Sequence, residues 1–321
     1  MAITKEMTLR QITDLPEFEP MKGKFIACAM GDQMKDKYDL TLPQLQEKMP
    51  TWYYGDILRG LNQLHEIAKR GNQYVFELSG DVSLIHMPAT VKKHDAFAIL
   101  MAGGAYGAVC TMVEALPVAA KLNELGMDCF CLNYRTATAV DFLKGLMPKP
   151  MDDLAAAWRF IRENEARFGV NAEKYIAGGF SAGGHLAAMW GTVHRGARSY
   201  GVPNPKMLLL GYPLITMETM EGPAARMIAA GMFGTVHSKE KVWQYAAHRH
   251  VDEEYPMVFL VQAENDDTVP IGQSYAMEEA LRNAGVHYVM ERPAVGGHGF
   301  GLGSATPAKD WPKRALGMLG G

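Results

Sequence analysis

The chain predicts an α/β fold built on a mostly parallel central sheet with helices on both faces. From Asp95 onward, short apolar runs alternate with amphipathic stretches, as expected where buried strands are joined by covering helices. Gly126, Gly169 and Gly285 each follow the last periodic residue of an amphipathic stretch, where a left-handed position favours glycine. The length, 321 residues, suits one large α/β domain with additions or two small domains.

Taken in order, the runs that read as strands are 96–101, 128–134, 175–180, 207–212, 257–263 and 286–291. Between them, helices are predicted at about 112–125, 152–168, 182–193 and 272–284. The order is β-α-β-α-β-α-β, a longer insertion, then β-α-β and a final helix. Upstream, 74–78 and 82–87 flank Ser79-Gly80-Asp81 and read as an antiparallel hairpin on the sheet edge. A helix is predicted at 55–69 because Ile57, Leu58, Leu61, Leu64 and Ile67 share one face. The Met-rich stretch before it carries no assignable pattern. The chain thus divides into a partly helical N-terminal extension, 1–70, and a main domain, 71–321. The extension is available to pack on the main domain, to cover a site or to build a homo-oligomer interface. Residues 215–250 separate two strands by far more than a simple connection needs. Met217, Met220, Met227, Met232 and Phe233 make this insertion apolar, which suits a cap over a site and ordinary helix packing equally well.

Composition narrows the function classes. Lys plus Arg is 32 against 35 for Asp plus Glu, a net charge of −3, and the basic residues are scattered. Neither nucleic acid nor a membrane surface is expected as a partner. The N-terminus has no apolar stretch of signal-peptide length and no run is long enough to span a bilayer, so a soluble, cytoplasmic protein is expected. The four cysteines are Cys28, Cys110, Cys129 and Cys131. Cys129 and Cys131 alternate along an apolar run and would share one strand face. No further ligand stands at a recognisable spacing, so buried thiols are expected and no metal site.

The chemistry centres on Gly179-Phe180-Ser181-Ala182-Gly183, set between a strand-like run and a helix-like run. A Gly-x-Ser-x-Gly string alone describes many glycine-rich turns. On a strand-to-helix bend it presents the serine hydroxyl clear of the sheet as a candidate nucleophile. A serine nucleophile needs a base, an acid to orient that base, and N–H donors for an oxyanion. Of ten histidines, only His287 and His298 follow the last strand-forming acid loop. His287 sits in a strand-like stretch and is expected to pack or face solvent. His298, in Gly296-Gly297-His298-Gly299-Phe300, lies on a loop of small residues and is the candidate base. His185 would stand one helical turn from Ser181 and is expected to serve packing or hydrogen bonding. For the acid, Glu264, Asp266 and Asp267 compete, and two of them could be plain turn or cap residues. After the 96–101 strand, Ala102-Gly103-Gly104-Ala105-Tyr106 lets backbone approach a carbonyl. The N–H groups of Gly104, Ala105 and Ala182 are the candidate oxyanion donors, although the segment could be a plain strand-to-helix turn.

Across about 80–320 these residues resemble the α/β-hydrolase esterases of the acetylxylan-esterase-like and lipase/esterase branch. The matching features are the Gly-Gly-Ala-Tyr loop at 103–106, Glu114 with Val118-Ala119, Asn133-Tyr134-Arg135, and Pro150 with Asp153-Leu154. Gly179-Phe180-Ser181-Ala182-Gly183-Gly184-His185-Leu186 and Gly297-His298-Gly299-Phe300-Gly301 match without change. The chain departs at Ala102 and Ala105, where the family has proline and a third glycine, and at Gln262-Ala263, where many members have His-Gly. The resemblance implies the α/β-hydrolase fold for 71–321 and selects Asp266 from the acid loop by its Asp-x-x-Val-Pro spacing, with Asp267 as runner-up. It implies a Ser181, Asp266 and His298 triad without cofactor or metal, acting on small acyl esters, with acetyl groups on sugars as the first candidate. A short-chain lipase, a peptidase and a non-catalytic binding protein on the same fold are the alternatives.

Overall fold

The computed structural model describes residues 2–320. Eight strands form one sheet: β1 (Val75–Ser79), β2 (Val82–Met87), β3 (Phe97–Met101), β4 (Asp128–Asn133), β5 (Tyr175–Phe180), β6 (Met207–Gly211), β7 (Met257–Val261) and β8 (Tyr288–Glu291). Their spatial order is β1-β2-β4-β3-β5-β6-β7-β8. The β1–β2 hairpin and the β2–β4 pair are antiparallel, and every later pair is parallel. Strands β3, β4, β5 and β6 are buried at every position, which is why they read as unbroken apolar runs. Register brings Met101 beside Gly179, Phe180 beside Gly211, and Gly211 beside Val261. The C-terminal ends of β3, β5, β6 and β7 therefore open on one edge, where such sheets place their sites.

The helices are α1 (Leu9–Thr13), α2 (Leu42–Lys48), α3 (Tyr54–Ala68), α4 (Ala115–Glu124), α5 (Asp141–Lys144), α6 (Lys149–Glu163), α7 (Glu165–Phe168), α8 (Ala182–Trp190), α9 (Gly222–Phe233), α10 (Lys239–Gln244), α11 (Gly272–Asn283) and α12 (Trp311–Gly317). Three sequence readings shift. The helix expected from 112 begins at Ala115, because residues 107–114 are drawn into turns against the N-terminal segment. The helix expected over 152–168 starts at Lys149 and breaks at Asn164, whose side-chain amide donates to Phe160 O (2.8 Å). The helix expected to reach 193 stops at Trp190, where Thr192 Oγ1 donates to Met189 O (2.7 Å). Gly126, Gly169 and Gly285 do take positive φ, at 94°, 62° and 69°.

The first 70 residues share the main core rather than forming one of their own. Leu9, Phe18, Leu42, Leu61 and Leu64 are buried in the same apolar cluster as the sheet. Ala27 and Val109 exchange two backbone hydrogen bonds, and Met112 N–H donates to Phe25 O (2.9 Å). In the insertion, Leu146 and Met147 donate to Gly231 O and Met232 O, which docks α9 beside α5. Cys129 and Cys131 are fully buried on β4. Among the described residues, no helix is long and apolar enough to cross a membrane.

The Asn133-Tyr134-Arg135 and Pro150…Asp153 motifs meet here as a structural joint. Buried Asp153 accepts from Arg135 N–H (2.8 Å) and Nε (2.8 Å), and lies 2.6 Å from Nη2. An amide offers one acceptor where the carboxylate offers two. Asp153→Asn is expected to cost about 2 kcal/mol in urea unfolding with an unchanged slope. A loss below about 0.5 kcal/mol would remove the joint from the account.

Candidate active site

Ser181 closes β5 and precedes α8 with φ 52° and ψ −117°, a region that non-glycine residues rarely enter. Its N–H donates to Gly211 O (3.0 Å), and its carbonyl accepts from Leu214 and His185 N–H (both 3.0 Å). The bend therefore keeps its backbone paired while the side chain leaves the sheet edge. It also brings α8 against β3: a Cβ on Gly183 would lie 2.1 Å from Met101 O, so no larger residue fits there.

His298 lies on the loop after β8, its side chain about 15% exposed. Its Nε2 is 2.9 Å from Ser181 Oγ and its Nδ1 is 2.8 Å from Asp266 Oδ2. A carboxylate beside Nδ1 requires that nitrogen to carry the proton, which leaves Nε2 to accept from the serine hydroxyl. Of the three acid-loop carboxylates, Asp266 is buried while Glu264 and Asp267 are exposed. Asp266 Oδ1 also accepts from Thr268 and Val269 N–H (3.0 and 2.9 Å), and Oδ2 from Gln262 Nε2 (3.1 Å). Those donors fix the carboxylate's orientation. His287 is exposed just before β8 and stands apart from this set.

Two supporting residues had no signal in spacing. Gln262, buried on the strand end, donates also to Val269 O (2.6 Å) and accepts from Ser274 Oγ, so both ends of its amide are engaged. Asn265 Oδ1 accepts from Gly296 and Gly297 N–H (3.0 and 2.9 Å) and ties the acid loop to the base loop.

The loop after β3 turns beside Ser181; a Cβ on Gly103 would sit 2.7 Å from Ser181 Cβ. Ala102 O accepts from Tyr134 Oη (2.7 Å), Gly103 O from Cys110 N–H (2.9 Å), and Gly104 O from Gly107 and Ala108 N–H (both 2.9 Å). Gly103 N–H is taken by Glu114 (2.5 Å). Among the described residues, no partner takes the N–H groups of Gly104, Ala105 or Ala182. Ala105 holds φ 54° although it has a side chain. The N-terminal segment borders the base loop: Thr51 would lie 3.0 Å from a Cβ on Gly297, and Asp56 accepts from Ser304 N–H (3.1 Å). Such an assembly can move a proton from a hydroxyl to an imidazole while offering N–H donors to a developing oxyanion. Among the described residues, no group of three His, Cys, Asp or Glu is placed to hold a metal ion.

Residues 84–281 match the BD-FAE family model. Over 223 residues the chain is 28% identical to endo-1,4-beta-xylanase B of Butyrivibrio fibrisolvens, covering 66% of this chain and 34% of that protein. It is also 28% identical over 208 residues to an acetylxylan esterase of Xylanibacter ruminicola, covering 63% of this chain and 40% of that one. The chain thus spans well under half the length of these curated relatives. Among solved structures, the acetyl ester-xyloside bifunctional hydrolase of Caldicellulosiruptor lactoaceticus superposes with a TM-score of 0.63 at 27% identity, over 74% of this chain and 87% of that one.

His185 lies behind the site and is fully enclosed. Its Nε2 faces Tyr245 O (2.8 Å), an acceptor, so Nε2 carries the proton and Nδ1 accepts from Tyr106 Oη (2.7 Å). It joins the insertion, α8 and the loop after β3. Burial pulls its pKa down to about 4 from an ordinary 6.5. Because the folded value is depressed, the unfolded chain binds the extra proton first, and stability falls as pH drops from about 6.5 towards 4. The loss should reach about 3 kcal/mol for this one group. Denaturant titrations at pH 7 and 4.5 should show the fall, and His185→Gln should flatten it. An equal fall in the variant would assign the acid sensitivity elsewhere.

Proposed function

The chain belongs to the BD-FAE family, and from that premise we propose that it is a serine carboxylesterase working through an acyl-enzyme. The observation that carries this reading is the continuous pair of hydrogen bonds from Ser181 through His298 to Asp266. In the first half-reaction, Ser181 Oγ attacks the ester carbonyl as His298 Nε2 takes the hydroxyl proton. Asp266 stabilises the imidazolium without itself becoming protonated. The carbonyl oxygen, now negative, receives the open N–H groups of Gly104, Ala105 and Ala182. Collapse breaks the bond to the alcohol oxygen, which leaves with the proton from Nε2. Water then repeats the sequence on the acyl-serine: His298 takes its proton, and the carboxylic acid departs as Ser181 Oγ regains a proton from the imidazolium.

Short acyl groups, acetyl first, are the proposed substrates, with a sugar as the alcohol. Support comes from the acetylxylan esterase and the acetyl ester-xyloside hydrolase among the similar proteins. Residues 215–250 and the 51–56 segment are proposed to border the alcohol side, since the second of these abuts the base loop.

A p-nitrophenyl ester series from acetate to octanoate tests both levels. Turnover should favour acetate, and Ser181→Ala should lower kcat by at least about 10⁴-fold while leaving the unfolding midpoint near that of the parent. Asp266→Asn should cost about 10⁴-fold, because an amide can hold the imidazole in the wrong tautomer. Equal turnover by Ser181→Ala would end the serine reading; preference for octanoate would end the acetyl one.

A further inference from the structure

We propose that Glu114 is a positioning residue that sets the oxyanion loop and the base loop against one another through a single buried carboxylate. The inference rests on the serine esterase reading. Glu114 is the one acid in the otherwise uncharged stretch Ala108–Ala120 and is only 4% exposed. Placing a carboxyl there is costly unless donors repay its lost hydration, and a filler of the same space would be apolar.

Its two oxygens have different partners. Oε2 accepts from Gly103 N–H (2.5 Å), in the loop whose next two N–H groups stay open beside Ser181. Oε1 accepts from Tyr212 Oη (2.8 Å) at the end of β6. The same Tyr212 oxygen accepts from Gly301 N–H (2.9 Å), three residues beyond His298. The Tyr212 ring lies edge-on to the His298 imidazole, with centroids 5.0 Å apart, and holds a strained φ of 35°. One side chain therefore pins the Ala102–Gly103 peptide and, through one phenol, both the ring and the loop of His298. Gly103 N–H can only donate, and among the described residues the Tyr212 hydroxyl proton has no acceptor other than Glu114. Both Glu114 oxygens must accept, which a carboxylate does and a glutamine amide cannot. Burial pushes the Glu114 pKa up, and these two donors together with His298 oppose that rise.

Glu114→Gln either sets its NH₂ against Gly103 N–H, which opens that arm, or sets it against Tyr212 Oη, where it can only donate and the hydroxyl proton loses its acceptor. Tyr212→Phe opens only the base-loop arm. The expected result is a fall in kcat of about 10²-fold for Glu114→Gln and a smaller fall for Tyr212→Phe, with KM within about twofold in both. The second-order rate of Ser181 labelling by a fluorophosphonate should fall in parallel, because that reaction needs the same base and the same N–H donors but no ester. The double variant should be no slower than Glu114→Gln alone, since both changes act in one network. Folded Glu114→Gln with parental kcat and labelling rate would overturn the proposal. Should that variant fail to fold, Tyr212→Phe decides, and parental kcat and labelling rate there would overturn it. The underlying reading fails separately: parental protein that labels at Ser181 but hydrolyses no ester removes the esterase and leaves the positioning role readable by labelling. Parental protein that neither labels nor turns over removes both.

Discussion

The crossing of α8 over the end of β3 is the contact on which the site depends. Backbone meets backbone there: a methyl group at Gly183 would stand 2.1 Å from Met101 O, and one at Gly179 would stand 1.9 Å from Gly183 O. Only with both side chains absent can the helix start so close to the sheet. That proximity forces Ser181 into its strained φ and puts Ala182 N–H and the loop after β3 around one point. Strain of this kind costs on the order of 1–3 kcal/mol and persists only where surroundings over-determine it. Here three backbone hydrogen bonds at Ser181 and the fully buried neighbours on α8 do so.

Around that point, polar groups divide into those that are consumed and those left open. The carbonyls of Ala102, Gly103 and Gly104 are all occupied, as is Gly103 N–H, whereas among the described residues the N–H groups of Gly104, Ala105 and Ala182 are not. Gly104 is half-buried and Ala105 exposed, so the loop donors stand open at the sheet edge rather than sealed in the core. The supporting shell is rigid in the same sense. Asp266 receives bonds from Thr268, Val269, Gln262 and His298, and Asn265 fastens the acid loop to the base loop.

Much of this was legible in the sequence, for reasons that differ by residue. Strands β3 to β6 are buried on both faces and so read as apolar runs. Ser181 and His298 stood out as candidates because glycines flank both, a pattern a core residue does not need. Asp266 is singled out only by the Asp-x-x-Val-Pro spacing that the resemblance supplies, because three carboxylates share its loop; burial and the contact with His298 separate it from Glu264 and Asp267. The first 50 residues were unassigned although Thr8 with Gln11 and Thr41 with Gln44 form capping boxes that start α1 and α2. Those helices span five and seven residues, too short for any apolar period to emerge. Gln262 and Asn265 act through bonds to backbone and neighbouring side chains, which leave no trace in spacing. Glu114 left a trace, a lone acid within an apolar run, but its partners come from Gly103 and Tyr212, the latter 98 positions away.

His298, the proposed base, lies 117 positions beyond the Ser181 it hydrogen-bonds. At a synthesis rate of about 5–20 residues per second, roughly 6–23 s separate the emergence of the two on a ribosome. During that interval Ser181 has neither its proton acceptor nor the 298–304 loop that meets the N-terminal segment at Asp56. Under the proposed mechanism, a nascent chain with β5 and α8 already formed therefore carries the Ser181 hydroxyl without its base.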